Sequence, residues 1–205
     1  MTPDYWHDAK TALAKRDAKL RKIIRTHGDA CLQTRGDPFQ TLARAIVGQQ
    51  LSVKAAQTIW DRFAAAAGGM TPPQVLALEG EAMRAVGLSR GKVTYLKDLA
   101  THFDTGLIKP KRWPKMDDAA IVEDLVRVRG IGVWSAEMFL IFHLMRPDIL
   151  PVTDLGLQRA MEKLYNKGEA LTHAEMRAIG ENWRPWASVA TWYLWRSLDP
   201  VAVGY

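Results

Sequence analysis

Two glycines flanking one aliphatic residue, Gly130-Ile131-Gly132, stand between a helix-patterned segment and a second, strongly apolar helical stretch. They let the chain reverse within three residues while Ile131 anchors the turn in a core. Gly132 then opens a helix whose first amides have no partner within the helix. Amides with no Cβ in front of them can seat a phosphate. The same pattern also describes an ordinary helical hairpin, so the turn alone leaves both readings open. The stretch continues through a proline-punctuated loop to Asp154, near the start of a third helix, and the whole runs from Leu125 to Met161.

Apolar residues recur at helical spacing nearly everywhere and no period-2 run of useful length occurs, so the chain reads as all-α, with roughly ten short helices. Helices are expected at about 3–15, 17–26, 39–47, 52–67, 71–78, 81–86, 89–103, from Asp117 to the hairpin, and at about 153–165, 172–183 and 185–198. Asp37 before Pro38, and Ser52 after the Gly48-Gln49-Gln50-Leu51 interruption, are N-cap signals. Lys109-Pro110-Lys111-Arg112-Trp113-Pro114-Lys115 is proline-broken and basic, and is expected to be an irregular linker.

The 205 residues, 48% of them hydrophobic, suit one domain or two small lobes sharing a core. A formal charge of +6 and a pI near 9.5 favour a polyanionic partner, nucleic acid before a membrane surface. A single cysteine, Cys31, excludes an internal disulfide and any multi-cysteine zinc or iron–sulfur site, and His7, His27, His102, His143 and His173 show no metal-ligand spacing. The charged first residues and the lack of any apolar run near 18 residues point away from a signal peptide or a membrane span, and a reducing cytoplasm fits.

Asp154 lies in Pro151-Val152-Thr153-Asp154-Leu155-Gly156 as a lone carboxylate among apolar neighbours. It reads either as a helix-capping aspartate or as a shielded carboxylate facing a site, because the dipole at a helix start favours the ionised form either way. Gln49 and Gln50 read either as a polar interhelical turn or as amides held exposed for a purpose. Four of the eight tryptophans (Trp183, Trp186, Trp192 and Trp195) fall in the last quarter, where helical spacing favours a core role for Trp183 and Trp186. Lys54, Arg90, Lys92 and the Lys109–Lys115 run are either DNA-backbone contacts or a solvated basic face.

Several separate stretches, in order, resemble the helix-hairpin-helix DNA glycosylases with a Gly/Pro-rich loop and a catalytic aspartate, and most closely their 3-methyladenine DNA glycosylase II (AlkA-like) branch. Leu125 to Ala136 is similar to the hairpin, and Pro151 to Gly156 to the catalytic loop. Ala45 to Ala56 is similar to the loop that enters the gap left by an extruded nucleotide. Trp183 to Ser188, with Trp192 to Trp195, is similar to the C-terminal pocket helix. Two departures stand out: Arg129 replaces the proline usual before the GIG turn, which should loosen the turn slightly or add a phosphate contact, and the chain has no room for the N-terminal α/β domain of larger bacterial members.

The resemblance implies a compact, two-lobed helical fold with the active-site cleft between the lobes, one domain over 1–205 and the helix-hairpin-helix at about 117–143. It implies a monofunctional glycosylase that flips alkylated purines (3-methyladenine and 7-methylguanine type) out of duplex DNA and hydrolyses their N-glycosidic bond, starting base excision repair. Asp154 would be catalytic, with Trp134, Trp195 and Gln49 in the base pocket. Gln50 and Leu51 would intercalate, and Gly130, Gly132 and Ser135 would hold the DNA backbone. Trp134 stands where backbone-cutting relatives carry a Schiff-base lysine, which argues against lyase activity. No cofactor is implied, nor any metal held by side chains, although similar hairpins bind a monovalent cation through backbone carbonyls, here those of Val126, Val128 and Ile131. Expected partners are double-stranded DNA with alkylated bases and no membrane, with a monomer sufficient, in a nucleoid-associated cytoplasmic setting. The competing reading is a non-catalytic helix-hairpin-helix module that grips DNA; a grip needs neither Asp154 nor the aromatic pair.

Overall fold

Short polar side chains set where the helices begin. Asp37 accepts the Gln40 amide at 3.2 Å, Ser52 that of Ala55 at 3.3 Å, Ser89 that of Lys92 at 3.3 Å and Asp117 that of Ala120 at 2.7 Å. Each satisfies an amide that the first helical turn leaves without an acceptor. The computed structural model describes residues 2–28, 30–33 and 36–198, and among them no strand occurs. In chain order the helices are α1 (Trp6–Arg16), α2 (Ala18–His27), α3 (Pro38–Gly48), α4 (Val53–Ala67), α5 (Pro72–Ala77), α6 (Gly80–Ala85) and α7 (Arg90–Asp104). After them come α8 (Asp118–Val126), α9 (Val133–Phe142), α10 (Leu155–Tyr165), α11 (His173–Gly180) and α12 (Ala187–Leu198).

Two 3-10 helices, Pro110–Lys115 and Glu181–Trp183, complete the set. The first corrects the expectation of an irregular linker. Trp113 is buried there, its ring meeting Phe139 edge-on at 5.3 Å between centroids. Burying an indole is worth more than the local preference of a Lys/Pro run for open chain. The second ends the helix expected over 172–183 one turn early.

The chain divides into two compact units, Arg35–Phe139 and Met1–Thr34 with Leu140–Tyr205. In the central unit α3, α5 and α6 pack on α7, and α4 packs on α3, α5 and α6. Its core contains Phe39, Leu42, Ile46, Phe63, Val75, Met83, Leu96 and Leu99. The hairpin helix α8 adds Ile121 and Leu125, and Ile131 is buried in the turn as expected.

In the unit formed by the two ends of the chain, α12 packs on α1, α2 and α10. Trp6 meets Trp192 edge-on at 5.2 Å, and Trp183 and Tyr193 are wholly buried. Asp17 lies at the α1–α2 corner, 8% exposed. Its Oδ1 accepts the amides of Lys19 (2.8 Å) and Leu20 (3.1 Å), and its Oδ2 accepts the Tyr165 hydroxyl (2.7 Å) and the Trp183 indole N–H (3.1 Å). Burial pushes the Asp17 carboxyl up, but the four donated bonds outweigh it and hold it below the ordinary carboxylate range.

Candidate functional site

In the central unit the exposed chemistry gathers on two turns. Gly130 has φ +84°, and a Cβ there would come within 2.3 Å of the Tyr95 ring. This position therefore requires glycine twice over, for its backbone and for the close approach. Gly132 differs: a Cβ there would meet nothing within 4 Å, so the position faces open space. Its carbonyl accepts the Ala136 amide at 3.0 Å and starts α9. Val133 and Trp134 in that first turn are exposed, Trp134 by 38%, and Ser135 is half-buried beside them. An exposed indole, a bare glycine and a helix start can together stack a flat ring and receive an anion.

The second turn follows α3. Gln50 is exposed and takes φ +59°, an uncommon conformation for a residue with a side chain, and Leu51 is 39% exposed. The Leu51 amide closes the turn on the Gly48 carbonyl at 3.1 Å. Gln49, expected among the base-facing groups, directs its Nε2 at the Gly130 carbonyl, 2.8 Å away, and so joins the two turns.

Arg129 is tied to α7. Its amide, which a proline would lack, donates to Asp98 Oδ2 at 2.8 Å. Lys92 is not on a solvated face: its Nζ donates to the carbonyls of Val47 and Gln49, both at 2.8 Å, and burial pushes its ammonium below the ordinary lysine value. Lys54 and Arg90 are exposed. Val128 offers its carbonyl to the Ile131 amide at 3.1 Å. A carbonyl has a second lone pair, and the carbonyls of Val126, Val128 and Ile131 are hard oxygen donors that suit a simple cation. No cluster of three or more His, Cys, Asp or Glu side chains that could hold a metal occurs among the described residues.

In the other unit Asp154 is a shielded helix cap. It caps α10, accepting the Leu157 amide on Oδ1 at 2.7 Å, and it is 8% exposed next to Leu155, which is 64% exposed. The indole N–H of Trp195 donates to the same oxygen at 2.8 Å, and the Trp195 ring stacks on Phe142 with centroids 5.6 Å apart and planes 11° from parallel. A Cβ at Gly156 would lie 3.1 Å from Asp154 Oδ1 and 3.1 Å from Trp195 Cδ1. A side chain at 156 would press the indole or the carboxylate aside by a few tenths of an ångström.

Sequence reasoning did not single out Gly156, Phe142, Tyr95 or Asp98. The first follows a motif aspartate at i+2, a signal that could have been used. The other three act across contacts that no local pattern encodes.

A family model described as "HhH-GPD superfamily base excision DNA repair protein" matches residues 43–185. DNA-3-methyladenine glycosylase 1 of Schizosaccharomyces pombe is 31% identical over 183 residues, covering 87% of this chain and 80% of that protein. The crystal structure of a DNA-3-methyladenine glycosidase from Bacillus halodurans superposes with TM-score 0.85 at 36% identity, covering 93% of this chain and 88% of that one. The S. pombe 3-methyladenine DNA glycosylase Mag1, solved in complex with abasic DNA, superposes with TM-score 0.82 at 29% identity, covering 97% and 99%. No helix among the described residues is long and apolar enough to cross a membrane.

Proposed function

Because this chain belongs to the HhH-GPD superfamily of base excision DNA repair proteins, we propose that it is a monofunctional DNA glycosylase that removes alkylated purines from duplex DNA. The observation that carries this reading is the shielded Asp154 carboxylate, fixed by the Leu157 amide and the Trp195 indole. Similarity to proteins named for 3-methyladenine supports the choice of lesion class.

Purines alkylated on a ring nitrogen are cationic and leave readily. As the C1′–N bond breaks, its electron pair departs with the base and the sugar becomes an oxocarbenium-like cation. A carboxylate in a shielded setting stabilises that charge, and water then adds at C1′ and sheds a proton. Trp134 presents an exposed indole on which an electron-poor base can stack. Gln50 and Leu51 enter the vacated stack. Gly130, Gly132 and Ser135 seat a phosphate, and the Val126, Val128 and Ile131 carbonyls are the groups that would hold a monovalent cation there. Such an ion would neutralise phosphate charge at the hairpin. An indole at position 134 has no amine with which to form a Schiff base, so the reaction stops at an abasic site.

The test is mass spectrometry of bases freed from methylated duplex DNA, with borohydride added in a parallel reaction. Release of 3-methyladenine or 7-methylguanine without a trapped adduct is the expected result. Binding without release would instead identify a DNA-gripping module, and a trapped adduct would show lyase chemistry.

A further inference from the structure

We infer that α7 is the frame that sets the Gln49-Gln50-Leu51 turn relative to the hairpin turn, with Lys92 and Asp98 as its positioning residues. The inference rests on the reading above for what the two turns do, but the frame itself is a property of the central unit. Lys92, Tyr95 and Asp98 rise along about 9 Å of one broad stripe of the helix. At the lower end Lys92 bridges the Val47 and Gln49 carbonyls, placing an ammonium at the negative end of α3 and fixing the backbone just before the positive-φ Gln50. In the middle the Tyr95 ring fills the space beneath Gly130. At the upper end Asp98 holds the Arg129 amide.

Gln49 closes the circuit through its 2.8 Å bond to Gly130. The helix is itself tied down by Lys97, whose Nζ donates to the carbonyls of Leu76 and Leu78, both at 2.6 Å. His102 Nδ1 lies 2.8 Å from the Asp98 carbonyl and 3.7 Å from its carboxylate. Asp98 thus secures by hydrogen bond a turn that a proline would secure by its ring.

Four variants test this: Lys92→Met, Asp98→Ala, Arg129→Pro and the double variant Asp98→Ala/Arg129→Pro. Hydrogen exchange of the free protein is read first, because it does not depend on activity. Lys92→Met should speed exchange in both turns, and Asp98→Ala in the hairpin turn alone. On DNA carrying one methylated purine beside 2-aminopurine, Lys92→Met should slow single-turnover release by on the order of 10- to 100-fold and suppress the fluorescence rise on base extrusion. Affinity for undamaged duplex should change less than about threefold, because the phosphate contacts that dominate it are kept. Asp98→Ala should slow release in the Arg129 background and have no further effect beside Arg129→Pro. Unchanged exchange in both turns, or an Asp98→Ala effect equal in both backgrounds, would overturn the frame. A wild-type protein that releases no base would overturn the glycosylase reading while leaving the exchange result to decide this one. If Lys92→Met does not fold, Gln49→Leu, which removes only the link to Gly130, should raise hairpin exchange and slow release; no change in either would count against the frame.

Discussion

Asp17 and Asp154 are near-twins in local grammar. Both cap a helix in the same unit, both are 8% exposed, and both accept an indole N–H. Their surroundings part them. Asp17 is gripped through both oxygens by four donors that join α1, α2, α10 and the Glu181–Trp183 turn. Asp154 accepts the Leu157 amide and the Trp195 indole beside a glycine and an exposed leucine. A buried carboxylate under an indole is therefore not by itself evidence of catalysis. At Asp17 it is a joint; at Asp154 the catalytic role is a proposal that mutation decides.

Swapping the two roles by mutation gives the largest contrast. Asp154→Asn should lower base release by on the order of 10²–10³-fold, the usual loss when one preorganised electrostatic group is removed, with the melting temperature nearly unchanged because an amide oxygen can still cap α10. Single-turnover kinetics beside a thermal melt would show it, and an Asp154→Asn enzyme as fast as wild type removes the assignment. Asp17→Ala should do the reverse. It strands the Tyr165 hydroxyl, the Trp183 indole and two amides, costing about 3 kcal/mol or more, a fall of roughly 6–12 °C in melting temperature for a chain of this size. Release per folded molecule should hold steady, and a loss of activity without a loss of stability would erase the distinction drawn here.

Gly156→Ala should sit between them. A Cβ 3.1 Å from both partners forces the indole or the carboxylate to shift by a few tenths of an ångström; we expect release to slow by about tenfold with little change in duplex affinity. The smallest effect is the pH profile of stability. The Asp17 pKa is lower folded than unfolded, so its contribution is present above pH about 4 and fades as pH falls through the folded value. Burial pushes the Tyr5 hydroxyl up to about 12, so the stability that goes with keeping it neutral is full below pH about 10 and fades as pH rises toward the folded value. Urea midpoints across pH would register both, and an acid limb unaltered by Asp17→Ala would assign the acid loss to other carboxylates.

Much of the molecule can be read along the chain because its rules act within one helical turn. Caps at Asp37 and Ser52, and the buried Ile131 between its glycines, lie where spacing puts them, and the structure adds caps at Asp117 and Thr172 by the same local rule. The Thr172 box with Glu175 spans three residues. Asp154 as a helix cap is equally local.

What the chain order did not give are partners chosen across folded distance. Trp113 gathers a Lys/Pro run into a 3-10 helix by burying its indole against Phe139. Lys92 reads as one more surface lysine until α3 brings two carbonyls to it. Amphipathic spacing and capping are fixed by backbone geometry that every residue carries with it, so the sequence determined the helices, their starts and the hairpin. Which donor reaches which acceptor depends on how helices far apart in sequence pack, and only the tertiary structure decided that Asp17 would be a joint, Lys92 a clamp, and Trp195 the partner of Asp154.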